Sequence, residues 1–310
     1  MKAYVGVTDG GWAAFLAARP ELNEVNFWRP STPQTFRVLT AGEPFYFKSR
    51  SPENRVIGGG FYSGFALLPL SEAWELYSEG NGAGSLAQMR TAIGRYRGPI
   101  GPDEDPEIGC VLLRDVRFFP PELQVAPPRD FKLSIVQGKG FDLATHAEAP
   151  YFQDLLTRLL GQRADFDAAQ SWRHSGPVYG DPRLTPQRLG QKAFKAVVLN
   201  AYQGRCAITG SRIRPALQAA HILPLPDGGE NRLDNGLLLR SDVHTLFDRG
   251  YLGVDTNYRL RVSTRLRADF GDGDWLYDLE GEPVAVPLNR ADRPRRDFLE
   301  WHAETVFKMS

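Results

Sequence analysis

Apolar positions fall into two rhythmic blocks, separated by a stretch where the rhythm fades. In residues 1–137 a short helix is predicted over 9–18, and the runs GEPFYFKSR and NRVIGGGFYSGFALLPL predict strands joined by a polar turn at 51–54. Alternation in Phe45-Tyr46-Phe47-Lys48 is imperfect, as in a strand covered on both faces. Segments 71–76 and 85–96 each open on a serine at the N-cap position and continue at helical spacing. IGCVLLRDVRFF predicts a further strand, stopped by Pro120-Pro121. Residues 138–184 read as a linker with one helix near 150–161. The second block, 185–310, opens on a basic helix over 186–202. It continues through short strands to β-rich segments at 254–262 and 275–287 and an amphipathic helix over 293–307.

The chemistry concentrates in LQAAHILPLPDGGENRLDNGLLLRSDVHTLFDRG, residues 217–250. Its pattern predicts strand 217–223, a loop with Gly228-Gly229, strand 236–240 and helix 242–249, a ββα unit. Ser241 is placed to cap the helix and Gly250 to end it in the left-handed conformation. His244 and Asp248 stand four apart and share one helix face, a half-shell for a divalent cation, while Leu246 and Phe247 point to the core. Asp248 lies near the helix C-terminus, where the macrodipole disfavours it and a cation would compensate. His221 ends the first strand, opposite that face, and Asn235 is placed to hold the hairpin loop through backbone hydrogen bonds. A neutral imidazole can take a proton from water near pH 7, and a metal can carry charge on a phosphate. Each residue alone has a plainer reading, an interior His221 or a surface His244; their common register points to phosphodiester cleavage. His302 is expected to pack beside Trp301 and Cys206 to be a small core residue, while His146 and His174 carry no assignment.

Composition sets the bounds. A length of 310 residues suits two domains, and 42% hydrophobic with 24% charged residues suits globular cores. No apolar run reaches the roughly 18–20 residues of a membrane span, and the N-terminus lacks the features of a secretory signal, so a cytoplasmic protein is expected. With only Cys110 and Cys206 there is no disulfide framework and no CxxC pair, so no structural zinc is expected. Lys+Arg 37 against Asp+Glu 37 argues against bulk coating of nucleic acid. Yet residues 182–226 hold Arg183, Arg188, Lys192, Lys195, Arg205, Arg212 and Arg214 and no acid, a local field suited to phosphates. Arg188, Lys192 and Arg240 are the candidate phosphate contacts.

These motifs together resemble the HNH endonuclease family and its predicted bacterial restriction endonucleases. The match runs from Arg188-Leu189-Gly190-Gln191 through Cys206-Ala207-Ile208-Thr209-Gly210, Ala219-Ala220-His221-Ile222 and Asn235-Gly236 to His244-Thr245-Leu246-Phe247-Asp248. The resemblance implies a ββα-metal fold with His221 as general base, Asn235 orienting the loop, and His244 and Asp248 as ligands of Mg²⁺, Mn²⁺ or another divalent transition metal. Two departures stand out: Ala220 occupies a position that is often a ligand, and Cys206 lacks the paired cysteines of a zinc site.

The first block resembles, in pattern, the PUA-like superfamily with its EVE, ASCH and SRA-type members. That resemblance implies a β-barrel with helices over 1–137 that extrudes a modified base into an aromatic slot. Trp28, Phe47, Tyr62 and Trp74 are the candidate slot residues, with Lys48, Arg29 and Arg55 on flanking phosphates. The expectation is thus an α+β protein with a PUA-like domain (1–137), a linker (138–184) and an HNH domain (185–310). It would act as a modification-dependent, type IV-like restriction endonuclease on double-stranded DNA in defence against phage, working as a homodimer. A nucleic-acid sensor with a degenerate HNH site, a nonspecific HNH nuclease, and RNA as substrate are the alternatives.

Overall fold

The computed structural model describes residues 1–30, 36–171 and 190–309, and it falls into two compact units, Met1–Ala193 and Phe194–Ser310. Helices and sheets occur in both, an α+β protein. No helix among the described residues is long and apolar enough to cross a membrane.

In the first unit the chain order is β1 (Lys2–Val7), α1 (Gly10–Ala17), β2 (Val25–Arg29), β3 (Pro44–Lys48), β4 (Val56–Pro69), α2 (Leu70–Tyr77), α3 (Leu86–Arg97), β5 (Glu107–Phe118), β6 (Gly138–Asp142) and α4 (Ala149–Ser171). The strands form one sheet in the order β2-β5-β4-β3-β1-β6, with β1 and β3 parallel and every other pair antiparallel. Ser85 caps α3 through the Gln88 N–H. α2 begins one residue before the serine expected to cap it, and Ser71 bonds Asp105 instead, at 2.8 and 2.6 Å.

Side-chain alternation gives the sheet two covered faces. Ala3, Val5 and Tyr46 pack with Phe141 and with Phe152, Leu155 and Leu159 of α4. Tyr4, Phe45 and Phe47 face the other way, where Phe47 lies against Trp12 and Phe118 at ring distances of 5.2 and 5.3 Å. All five residues of β3 are buried, as its broken alternation implied. β6 and α4 thus build the first unit's core, although they fall within the stretch that read as linker. GKGFD carries no alternation of its own and is ordered by the free edge of β1.

The barrel is incomplete. Bulges between Gly59 and Phe61 and between Tyr62 and Gly64 bend the 14-residue β4 and curl the sheet. Among the described residues, however, β2 and β6 form no ladder with each other, so the barrel-like sheet is curled but open on that side. A side-chain bond crosses the gap: Arg29 Nη2, at the end of β2, donates to Gln137 Oε1, just before β6, at 2.9 Å.

The division between the units falls within α5 (Gln191–Ala201). In the second unit β7 (Leu217–His221) pairs antiparallel with β8 (Gly236–Arg240), setting His221 opposite Gly236, and α6 (Ser241–Asp248) follows at once. Leu237, Leu238, Leu239, Val243 and Phe247 are fully buried and fix this ββα unit to its core; Leu246 is only half-buried. The hairpin of β9 (Leu252–Val254) and β10 (Leu260–Val262) comes next, then α7 (Arg265–Phe270), α8 (Asp274–Tyr277) and α9 (Arg296–Thr305). Trp275 therefore sits in a short helix, and only a bridge from Arg259 to Pro283 remains of the strand character expected there. His302 stacks on Phe247 at 3.9 Å rather than on Trp301, and its Nε2 lies 3.1 Å from the Phe247 carbonyl.

Candidate active site

Two places in the molecule gather chemistry, one in each unit. The first is the ββα unit. α6 starts at Ser241 with Arg240 as its N-cap and no side-chain cap bond, so Ser241 does not cap it. Gly250 follows the helix at φ +74°, and a Cβ there would lie 2.0 Å from the Val306 carbonyl. The loop between β7 and β8 is tied to buried Asn235. Its Oδ1 accepts from the Leu223 N–H at 2.8 Å, and its Nδ2 donates to the carbonyls of Leu223 and Glu230 at 2.9 and 3.0 Å. Gly229 completes the turn, since a Cβ there would lie 1.9 Å from the Leu223 carbonyl.

On this frame His221 stacks face to face on Phe194 at 4.3 Å, and its Nε2 lies 2.8 Å from Asn231 Oδ1. Burial pushes the His221 pKa below its ordinary value, against the opposing effect of the Asn231 bond, and so favours the uncharged ring. His221 is close enough to His244 and Asp248 to feel the charge of both. His244 Nε2 lies 3.2 Å from Asp248 Oδ2, and His244 Nδ1 lies 2.7 Å from Gln218 Oε1. Partial burial pushes the Asp248 carboxyl up, against the downward pull of His244 and His221.

These groups suit a divalent cation. A neutral imidazole has one N–H to give, yet both ring nitrogens of His244 face an oxygen. Both oxygens only accept, so the ring carries either a second proton or, in that proton's place, a cation between Nε2 and Asp248 Oδ2. Adjacent donors of an octahedral ion with bonds of about 2.1 Å sit about 3 Å apart, close to the 3.2 Å seen between Nε2 and Oδ2. Among the described residues no group of three or more His, Cys, Asp or Glu could hold an ion, so this pair would leave most of a shell to water and phosphate. Cys206 is fully buried, and its Sγ faces the backbone N–H groups of Thr209 and Arg240 at 3.4 and 3.3 Å.

The candidate phosphate contacts are placed as follows. Arg188 lies outside the described residues, as do Leu189, Arg183 and His174. Lys192 belongs to the first unit, with its Nζ 5.9 Å from the Tyr77 ring centre. Arg240 forms a two-point ion pair with Asp242, both bonds 2.7 Å, and its guanidinium lies 5.4 Å from the Trp275 ring.

The second place is a pocket of about 360 Å³ in the first unit, at the gap in the curled sheet. Tyr4, Phe27, Trp28, Phe36, Phe45 and Tyr96 supply aromatic walls, and Asp9, Arg29, Arg50 and Gln137 supply polar groups. Asp9 Oδ2 accepts from the Tyr96 hydroxyl at 2.6 Å and Oδ1 from the Trp12 N–H at 3.0 Å. Partial burial would raise the Asp9 pKa, but these bonds prevail and hold it below its ordinary value. Of the four expected slot aromatics only Trp28 lines this pocket. Phe47 is wholly buried between Trp12 and Phe118, and Tyr62 is buried with its hydroxyl toward the Phe36 carbonyl. Trp74 sits half-buried on α2, away from the lining. Lys48 is 5% exposed and its Nζ donates to the Ser49 carbonyl, so it presents no surface charge to a phosphate. Arg55 reaches the Gln124 carbonyl.

Sequence reasoning missed Phe194, Gln218 and Asn231 in the second unit, and Tyr4, Asp9, Phe36, Phe45, Arg50 and Tyr96 as walls of the pocket. The apolar run Ala3-Tyr4-Val5 was a usable signal for β1, a strand buried on both faces. Asn231, two residues after Gly228-Gly229, reads as a turn former and carried no such signal.

Residues 206–255 match the HNH endonuclease family. No curated protein matches the chain. Among solved structures, the ASCH protein of Zymomonas mobilis is 14% identical with a TM-score of 0.33, covering 50% of this chain and 94% of its own. The modification-dependent TagI restriction endonuclease is 14% identical with a TM-score of 0.30, covering 93% of this chain and 76% of its own. The type IV phosphorothioation-dependent restriction endonuclease ScoMcrA is also 14% identical, with a TM-score of 0.19 and coverage of 79% and 52%.

Proposed function

With an HNH endonuclease domain at residues 206–255 as premise, we propose that this chain is a modification-dependent, type IV-like restriction endonuclease. It hydrolyses DNA phosphodiester bonds in its C-terminal unit and reads a modified base in its PUA-like N-terminal unit. The observation that carries the cleavage reading is one ββα unit that holds both His221, stacked on Phe194, and a His244–Asp248 pair whose facing atoms are 3.2 Å apart. His221 takes the proton of the attacking water, a contribution of roughly 10²–10⁴-fold. Asn235 holds the loop that positions it. His244 and Asp248 hold one divalent cation, Mg²⁺ or Mn²⁺, which when bound stabilises charge on the scissile phosphate.

The pocket supports the recognition reading. At about 360 Å³ it is near the lower end of small-ligand sites, roughly 300–1,000 Å³, and suits one heterocycle. Its aromatic walls suit a flat ring, and Asp9 offers a carboxylate to a base's amino group. A homodimer would supply the second active centre for cutting both strands.

The test is digestion of DNAs that are unmodified or carry 5-methylcytosine, 5-hydroxymethylcytosine, glucosylated cytosine, N6-methyladenine or phosphorothioate, each with Mg²⁺ and with Mn²⁺. Cutting of one modified DNA and sparing of the unmodified control is expected. Equal cutting of all substrates would leave a nonspecific nuclease, and binding with no cutting under any ion would leave a sensor.

A further inference from the structure

Arg240 ends β8 where α6 begins, and its guanidinium is held on two sides. Its Nε and Nη2 donate to Asp242 Oδ1 and Oδ2, both at 2.7 Å, and the Trp275 ring centre lies 5.4 Å away. We propose that Asp242 occupies on Arg240 the place of a DNA phosphate, so that the second unit carries a backbone clamp closed on itself until DNA displaces the carboxylate. That DNA is the displacing partner rests on the nuclease reading; the occupied fork stands on the ion pair alone.

A guanidinium fork fits a carboxylate and a phosphate in the same two-point way, so one anion can replace the other without a change of geometry. The carboxylate is open to exchange: the Asp242 side chain is 55% exposed and that of Arg240 31%, and ion pairs at such positions are weak. Trp275, itself partly exposed, holds the guanidinium against its ring when the acid leaves. Asp274, beside it in sequence, is engaged by Arg267 at 2.6 Å. The surroundings are basic. Cys206 Sγ faces the Arg240 N–H at 3.3 Å, which seats the loop bearing exposed Arg205, Arg212 and Arg214 beside the clamp, and residues 205–226 contain no acid. Asp242 thus takes positive charge away from a surface otherwise suited to phosphate. The clamp also lies in line with the cleavage site. Arg240 pairs with Leu217 and Gly236 with His221, and four strand positions separate the two pairs by about 13 Å. That span equals about four nucleotide steps of one duplex strand, so a single strand can lie across both.

The experiment is fluorescence anisotropy of a short, labelled, unmodified DNA duplex with full-length protein, without metal, over a series of salt concentrations. Asp242→Asn keeps the size of the side chain and an acceptor oxygen but opens the fork. At low salt it should bind roughly two- to fivefold more tightly than wild type, the strength of an exposed ion pair. It should also steepen the fall of log affinity with log salt by about 0.9, the signature of one added phosphate contact. A gain of affinity is not what a misfolded variant shows. Arg240→Ala combined with Asp242→Asn should abolish both changes. Wild-type affinity and slope in Asp242→Asn would overturn the proposal, and so would a gain that persists when Arg240 is alanine, since net charge alone would then explain it. A protein that behaves as expected but cuts no DNA under any ion would overturn the nuclease reading and leave the clamp. A nuclease whose DNA binding is indifferent to Asp242→Asn would do the reverse.

Discussion

Replacing Asn235 with alanine removes the most connected side chain of the cleavage unit. The carboxamide is fully buried and makes three hydrogen bonds of 2.8, 2.9 and 3.0 Å to Leu223 and Glu230. At roughly 0.5–1.5 kcal/mol net for each, the local loss is about 3 kcal/mol. A loss of that size raises the opening equilibrium of the loop roughly 100-fold, since every 1.4 kcal/mol is a factor of ten. Hydrogen–deuterium exchange read by mass spectrometry should show faster exchange in peptides covering 222–235, while peptides of the first unit stay unchanged. DNA cleavage should fall with it, because Asn231 rides on the loop that Asn235 holds. Wild-type exchange across 222–235 in Asn235→Ala would refute the reasoning.

Further outcomes follow from the same geometry. His244→Ala and Asp248→Ala should each abolish detectable Mn²⁺ binding by calorimetry with unchanged circular dichroism, and retention of wild-type affinity in either would exclude that residue as a ligand. Buried His302, with its pKa pushed down to about 4 by desolvation, binds its proton in the unfolded chain first, so stability is lost as the pH falls below about 6.5. That group alone should make the second unit about 2 kcal/mol less stable at pH 5.0 than at 7.5, and His302→Phe should flatten the dependence in urea titrations. Trp28→Ala should weaken binding to the preferred modified DNA by roughly tenfold or more, as loss of a stacking face implies; equal loss on unmodified DNA in a gel-shift assay would remove the pocket from base recognition.

The ββα unit was legible because its chemistry is local and periodic. His221, Asn235, His244 and Asp248 lie within 28 residues, and the period of a helix puts the last two on one face whatever surrounds them. The three groups that complete it were not legible. Phe194 comes from a separate helix, Gln218 reads as a surface strand residue, and Asn231 reads as part of a turn. The pocket depends on still longer-range pairing. Tyr4 and Phe45 become neighbours only through the parallel pairing of β1 with β3, and Arg29 meets Gln137 across 108 residues. Phe47 and Tyr62 have the aromatic character a base slot needs, but side-chain type alone does not say which face of a curled sheet is open.

The most direct test of the central claim is single-turnover cleavage of the preferred modified DNA by wild type and His221→Ala, with binding measured in parallel. His221→Ala should bind DNA as wild type does and cut it at least about 10²-fold more slowly, as loss of a general base requires. Cleavage by His221→Ala at the wild-type rate would contradict it.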